Sequence, residues 1–223
     1  MARNSASRAT RMPPTDRRSQ ILAAARRVLE VRAIDDISVE AVAGEAGVSP
    51  GLLFHYFGSQ RKFRHAVLEA AAEELLAHVR PDPALSPAEQ LRAGAGTFVE
   101  YVARYPTIYQ AVTRLNRGAD VRSLHSSSRA TLGDWITGAV SGVGVRITPA
   151  MSLAITGWLA YMEEVVLAWL DEPTLTRPEL IDLCERSFYQ LARAALDDDE
   201  QWEQVVRRIH RRPGEAEPPP SAG

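Results

Sequence analysis

The chain has 223 residues, 45% of them apolar and 24% charged, with a net charge of −2. That is enough apolar chain to bury a sizeable core, which excludes a disordered polymer, and a single cysteine, Cys184, excludes an internal disulfide and fits a reducing cytoplasm. No unbroken apolar run approaches the roughly 18 residues of a membrane span, and no apolar signal core directly follows the basic N-terminus, so no membrane partner is expected.

Charge is unevenly spread. Residues 1–65 hold eleven Arg/Lys against six Asp/Glu, and residues 66–223 hold fifteen against twenty-two. The first part therefore suits a polyanion and the second does not. Residues 1–14 lack periodicity and read as a flexible basic arm carrying Arg3, Arg8 and Arg11. Thr15 is placed to cap a helix in which Ile21, Leu22, Ala25, Val28 and Leu29 fall at helical spacing. "AIDDIS" ends that helix. Ser38 is then an N-cap for "VEAVAGEA", which stops at Gly47. Ser49 caps a further helix with Pro50 at its first position, where no amide donor is needed, and Gly58 ends it. Ser59 opens a longer helix to about Val79.

From residue 86 the pattern is helical throughout. The spacing predicts helices over about 86–105, 106–117, 121–140, 149–170 and 178–196, a short one within residues 197–212, and a disordered tail over 213–223. Cys184 lies among apolar helical positions and reads as a buried small hydrophobe. No segment alternates with period two, so the fold class is all-α.

Two short helices joined by "AGVS" make a helix-turn-helix. In the second, Leu53 and Phe57 are four apart and can point inward, which leaves Pro50, Gly51, Leu52, His55 and Tyr56 outward or sideways. Pro50 and Gly51 carry little side chain and allow close approach. Ser49 opens a helix N-terminus suited to an anion, and Tyr56 and His55 can donate to phosphates or base edges. Arg61 and Lys62 extend the positive surface.

The stretches "RRSQILAAARRVLE" and "ISVEAVAGEAGVSPGLLFHYFGSQRKFRHAVLE" resemble the N-terminal DNA-binding domain of the tetracycline-repressor (TetR) family over about residues 17–70. The resemblance implies a DNA-binding domain over 15–62 with Ser38, Ser49, Pro50, Gly51, Leu52, His55, Tyr56, Arg61 and Lys62 at the DNA. It also implies a ligand-binding and dimerisation domain over 63–212, and an omega-shaped homodimer in which the last two long core helices pair with their mates. The function implied is a regulator, by family default a repressor with an activator as the alternative, released from a palindromic double-stranded operator by a small, mainly apolar molecule. Three positions depart from the family pattern: Phe54 and Gln60 stand where Tyr and Lys are usual, and Ala33 stands where Gly is usual.

Rings cluster after residue 98. Phe98, Tyr101, Tyr105, Tyr109, Trp135, Trp158 and Tyr161 are candidates for the wall of an amphipathic cavity, and ordinary core packing is the competing reading. Glu163 and Glu164 diverge by about 100° on a helix, so at most one faces inward. No His/Cys/acid spacing suggests a metal, and no cofactor motif, G-x-S-x-G or P-loop supports an enzyme. A ligand-responsive regulator, a ligand-independent DNA-binding factor and a helical interaction domain or enzyme remain open from the residues. Leu180, Cys184, Phe188, Leu191 and Ala195 form a stripe that can serve as a dimer seam.

Overall fold

A computed structural model describes residues 13–30, 32, 37–113, 119–196 and 199–212. Arg3, Arg8 and Arg11 of the basic arm, Ala33 with the helix break beside it, residues 114–117 and the tail from 213 lie outside the described residues. The described chain is all-helical and divides into two compact units at Ala70/Ala71.

The first unit begins with α1 (Pro14–Leu29). It starts one residue before the expected cap, because a proline at the first position already fixes a helical φ; the Thr15 hydroxyl instead donates to Asp16 at 3.4 Å. Ile21, Leu22, Ala24, Ala25 and Leu29 are buried along one side of α1. In α2 (Val39–Ala46) the buried residues are Val39, Val42, Ala43 and Ala46, and the Ser38 hydroxyl accepts the Ala41 N–H at 3.0 Å. Gly47 then takes φ +66°, and the Val48 N–H returns to the Ala43 carbonyl at 2.9 Å. That left-handed residue closes the helix and reverses the chain, and a side chain there would cost about 1 kcal/mol. The Gln20 amide donates to the Ala46 carbonyl at 3.0 Å and Arg27 pairs with Glu45 at 2.6 Å, so α1 holds the last turn of α2 in place. α3 (Pro50–Phe57) follows after a two-residue link, and α4 (Gln60–Val79) has residues on both sides of the division.

The second unit holds α5 (Pro87–Arg104), α6 (Pro106–Thr113), α7 (Ala119–Gly142), α8 (Pro149–Asp171), α9 (Arg177–Ala194) and α10 (Asp199–Ile209). Proline at the first turn starts α5, α8 and α9, and Ser86 with Glu89 forms a reciprocal capping box on α5. α5 and α8 both pack on α9, and α7 packs on α8. Arg92 joins α5 to α9 by pairs with Asp182 and Glu185, each at 2.6 Å. Cys184 is fully buried on α9, where loss of solvent pushes its thiol up to about 11, so it packs as a hydrophobe.

α8 is long and apolar enough to cross a membrane by length and composition alone. A search for unbroken apolar runs passes over it because Glu163 and Glu164 interrupt the sequence. Met151, Ile155, Trp158, Leu159, Met162, Val166 and Leu167 are buried along it, which fits a core helix. The α9 stripe is also not a free seam: Leu180, Cys184 and Phe188 are buried within this one chain. The α9 face with the most regular apolar spacing was claimed by its own neighbours.

Candidate functional site

α3 is fixed at both ends by its own sequence. The Ser49 hydroxyl accepts the Leu52 N–H at 3.2 Å, and the Gly58 N–H returns to the Phe54 carbonyl at 2.7 Å. Leu53 and Phe57 face inward, and burying each is worth about 1.5–3 kcal/mol. Phe57 meets Phe63 edge-on at 5.1 Å, and the Arg18 guanidinium lies 5.4 Å from the Phe57 ring centre. These contacts settle which side of an eight-residue helix is turned out.

The outward side carries Ser49, Pro50, Gly51 and His55, all exposed, with Leu52 and Tyr56 half-buried beside them. The His55 and Tyr56 rings meet edge-on at 5.7 Å. Arg61 and Lys62 are exposed at the start of α4, where the Ser59 hydroxyl accepts the Lys62 N–H at 3.2 Å. Ser38 is half-buried, with its hydroxyl committed to capping α2. Phe54 is 43% exposed, an unusual position for so large an apolar ring. Chemically, this face combines a small-residue helix start, two ring-borne hydrogen-bonding groups and two cations.

The second unit contains a cavity of about 150 Å³ bounded by α5, α7, α8, α9 and α10. Apolar cavities of about this size admit a benzene-sized molecule. Its walls are largely hydrocarbon and indole, and Val79, at the end of α4, borders it. Of the seven candidate rings, Phe98, Trp135 and Trp158 line the cavity, and Tyr101, Tyr105, Tyr109 and Tyr161 are not among its walls. The Tyr101 hydroxyl is spent on the Ala71 carbonyl at 2.8 Å, and its ring lies 5.0 Å from that of Tyr105. Tyr109 is buried edge-on to Phe98 at 5.4 Å; burial, then the nearby Glu163 charge, hold its phenol protonated. Tyr161 is half-buried against the core. Trp158 borders the cavity while its indole N–H donates to the Cys184 carbonyl at 2.9 Å.

Glu163 is the acidic residue on the cavity wall, and Glu164 is exposed. The Glu163 carboxylate is bonded by His125 Nε2 at 2.9 Å and Arg129 Nη1 at 3.2 Å. Trp202, Val205 and Ile209 of α10 also line the cavity, a role the sequence reading did not assign. Their spacing of three and four was the available signal. α10 is held by Arg208, which donates to the Val143 carbonyl at 3.1 Å, and by Arg212, which grips Glu89 at 2.5–3.2 Å. No cluster of three metal-ligating side chains occurs among the described residues.

Residues 21–67 match the model of the bacterial regulatory proteins of the tetR family. The chain is 30% identical over 97 residues to the HTH-type transcriptional activator FasR of Mycolicibacterium smegmatis, covering 43% of this chain and 44% of that protein. It is 32% identical over 80 residues to the HTH-type transcriptional regulator BetI of Stenotrophomonas maltophilia, covering 34% of this chain and 41% of that one. The chain thus spans less than half the length of these curated relatives in either match. Among solved structures it is similar to a tetR-family transcriptional regulator from Streptomyces coelicolor, with TM-score 0.77, 25% identity and 89% and 90% of the two chains covered. A TetR-like regulator from a Rhodococcus species shares the fold at TM-score 0.62 and 24% identity, over 81% and 97% of the two chains.

Proposed function

We propose that the chain is a transcriptional regulator of the TetR family rather than an enzyme, a cytoplasmic homodimer that leaves a near-palindromic DNA operator when a small, mainly apolar molecule enters its second unit; the match of residues 21–67 to the tetR-family model and the likeness to the Streptomyces coelicolor regulator support it. Residues 15–62 serve the DNA and residues 63–212 serve ligand and partner. The observation that carries this reading is the outward face of α3, where Pro50, Gly51, His55 and Tyr56 stand beside Arg61 and Lys62. Such a face suits a major groove: the small residues permit approach, the rings donate to phosphates and base edges, and the cations release counterions.

Dimerisation is assigned to α8. Leu153 is 72% exposed, and Gly157, Ala160, Glu164 and Ala168 are exposed on the same side of α8, a narrow stripe over which a second copy can pack closely. The cavity supports ligand response. Val79 borders it at the end of α4, the helix whose other end carries Arg61 and Lys62, so a ligand that moves Val79 acts on the element that begins in the DNA-binding unit. The likeness to a relative named an activator favours a second reading on sign alone, in which the bound protein activates and the ligand ends activation.

The test is selection of duplexes from a random library by the full chain. Enrichment of a near-palindrome with half-sites about one helical turn apart supports the reading. A library that stays random after repeated rounds overturns it.

A further inference from the structure

We propose that the cavity of the second unit selects an uncharged hydroxyl compound, one apolar body with a single O–H, and rejects both the carboxylate and the ammonium analogue. The inference rests on the reading of this cavity as a ligand site and adds the ligand's chemical class.

Glu163 presents a carboxylate with about four acceptor positions, of which His125 and Arg129 take one each. Gln90 donates its amide N–H to the Leu85 carbonyl at 2.8 Å, which leaves its carbonyl oxygen to accept. The Tyr189 hydroxyl donates to Glu185 at 3.3 Å. The remaining capacity of the Glu163 carboxylate and of the Gln90 carbonyl, both on the wall, is therefore acceptor capacity and calls for a donor. Trp135 and Trp202 carry indole donors on the same walls, and a hydroxyl can donate to one group and accept from another.

Charge decides against the ionic alternatives. A carboxylate would enter a largely hydrocarbon cavity and face the Glu163 carboxylate. An ammonium would find Glu163 already balanced by Arg129, which is anchored by a second bond to the Thr156 carbonyl at 3.0 Å. Either ion loses its hydration without gaining a free counter-charge, and that loss exceeds what hydrocarbon contact returns. A neutral O–H loses little and gains a hydrogen bond to a charged acceptor.

The experiment is calorimetric titration of the full chain with four probes sharing one body: 4-butylbenzyl alcohol, 4-butylbenzoate, 4-butylbenzylammonium and 4-butyltoluene. The expected order puts the alcohol about tenfold tighter than the hydrocarbon and at least about tenfold tighter than either ion. Glu163→Leu, which removes the acceptor, should bring the alcohol's affinity close to the hydrocarbon's; because the four-probe series uses the unaltered chain, it stands even where that variant fails to fold. A carboxylate or ammonium that binds as tightly as the alcohol overturns the class while leaving the cavity a ligand site. Failure of all four to bind overturns the ligand site itself.

Discussion

Gly51→Ala should strengthen the protein and weaken its hold on DNA. Gly51 is the second residue of α3, it has no positive φ, and a Cβ built on it meets nothing closer than the Ser49 hydroxyl oxygen at 4.0 Å. In the free protein the added methyl therefore clashes with nothing and lowers the entropy lost on folding, a gain of about 0.5–1 kcal/mol. For a chain of this size that corresponds to a melting temperature higher by about 1–4 °C. Against a groove wall the same methyl is overpacked, at about 1–3 kcal/mol, or roughly 5- to 150-fold in Kd. The assay pairs a thermal melt of the free protein with fluorescence-anisotropy titration of a selected operator. A higher melting temperature with unchanged operator affinity refutes the placement of Gly51 at the DNA. A lower melting temperature refutes the local argument itself.

Lys62→Ala should reduce the slope of log K against log salt by about one, and Tyr56→Ala should weaken binding with the slope unchanged; titrations at several salt concentrations check both. Leu153→Arg should convert the dimer to a folded monomer in sedimentation, because a solvent-facing Leu is spared by the chain's own core; a variant that still sediments as a dimer places the interface elsewhere. The Glu89 carboxyl is held at about 2, first by the Arg212 guanidinium and then by the Ser86 N–H. A depressed folded value means that this stability is present above the ordinary carboxylate range and is lost as pH falls from there through about 2. The parent should thus melt above Glu89→Gln at pH 6, and the gap should close by pH 2 in a thermal-melt series.

The DNA-binding unit was legible because its determinants are local. Ser38, Ser49 and Gly47 each bond within a few residues of themselves, so caps, turn and inward face could be read from spacing. The cavity was less legible because its wall is assembled from six helices, α4, α5, α7, α8, α9 and α10. Nothing near Tyr101 in sequence says that its hydroxyl reaches the Ala71 carbonyl, thirty residues away. Glu163 could be narrowed to one of two neighbours, but its partners His125 and Arg129 lie 38 and 34 residues off. Trp202, Val205 and Ile209 show an amphipathic face, yet the pattern does not say what that face covers. The α9 stripe failed for a related reason: periodicity reports an apolar face and is silent on whether the chain's own helices or a second copy covers it.

Footprinting of the full chain on its selected operator is the most direct test that α3 reads DNA as one half of a two-fold pair. Two protected major-groove segments are expected on one side of the duplex, about one helical turn apart, both lost on addition of a ligand that raises the melting temperature. A single protected segment, or protection that persists unchanged at saturating ligand, would contradict it.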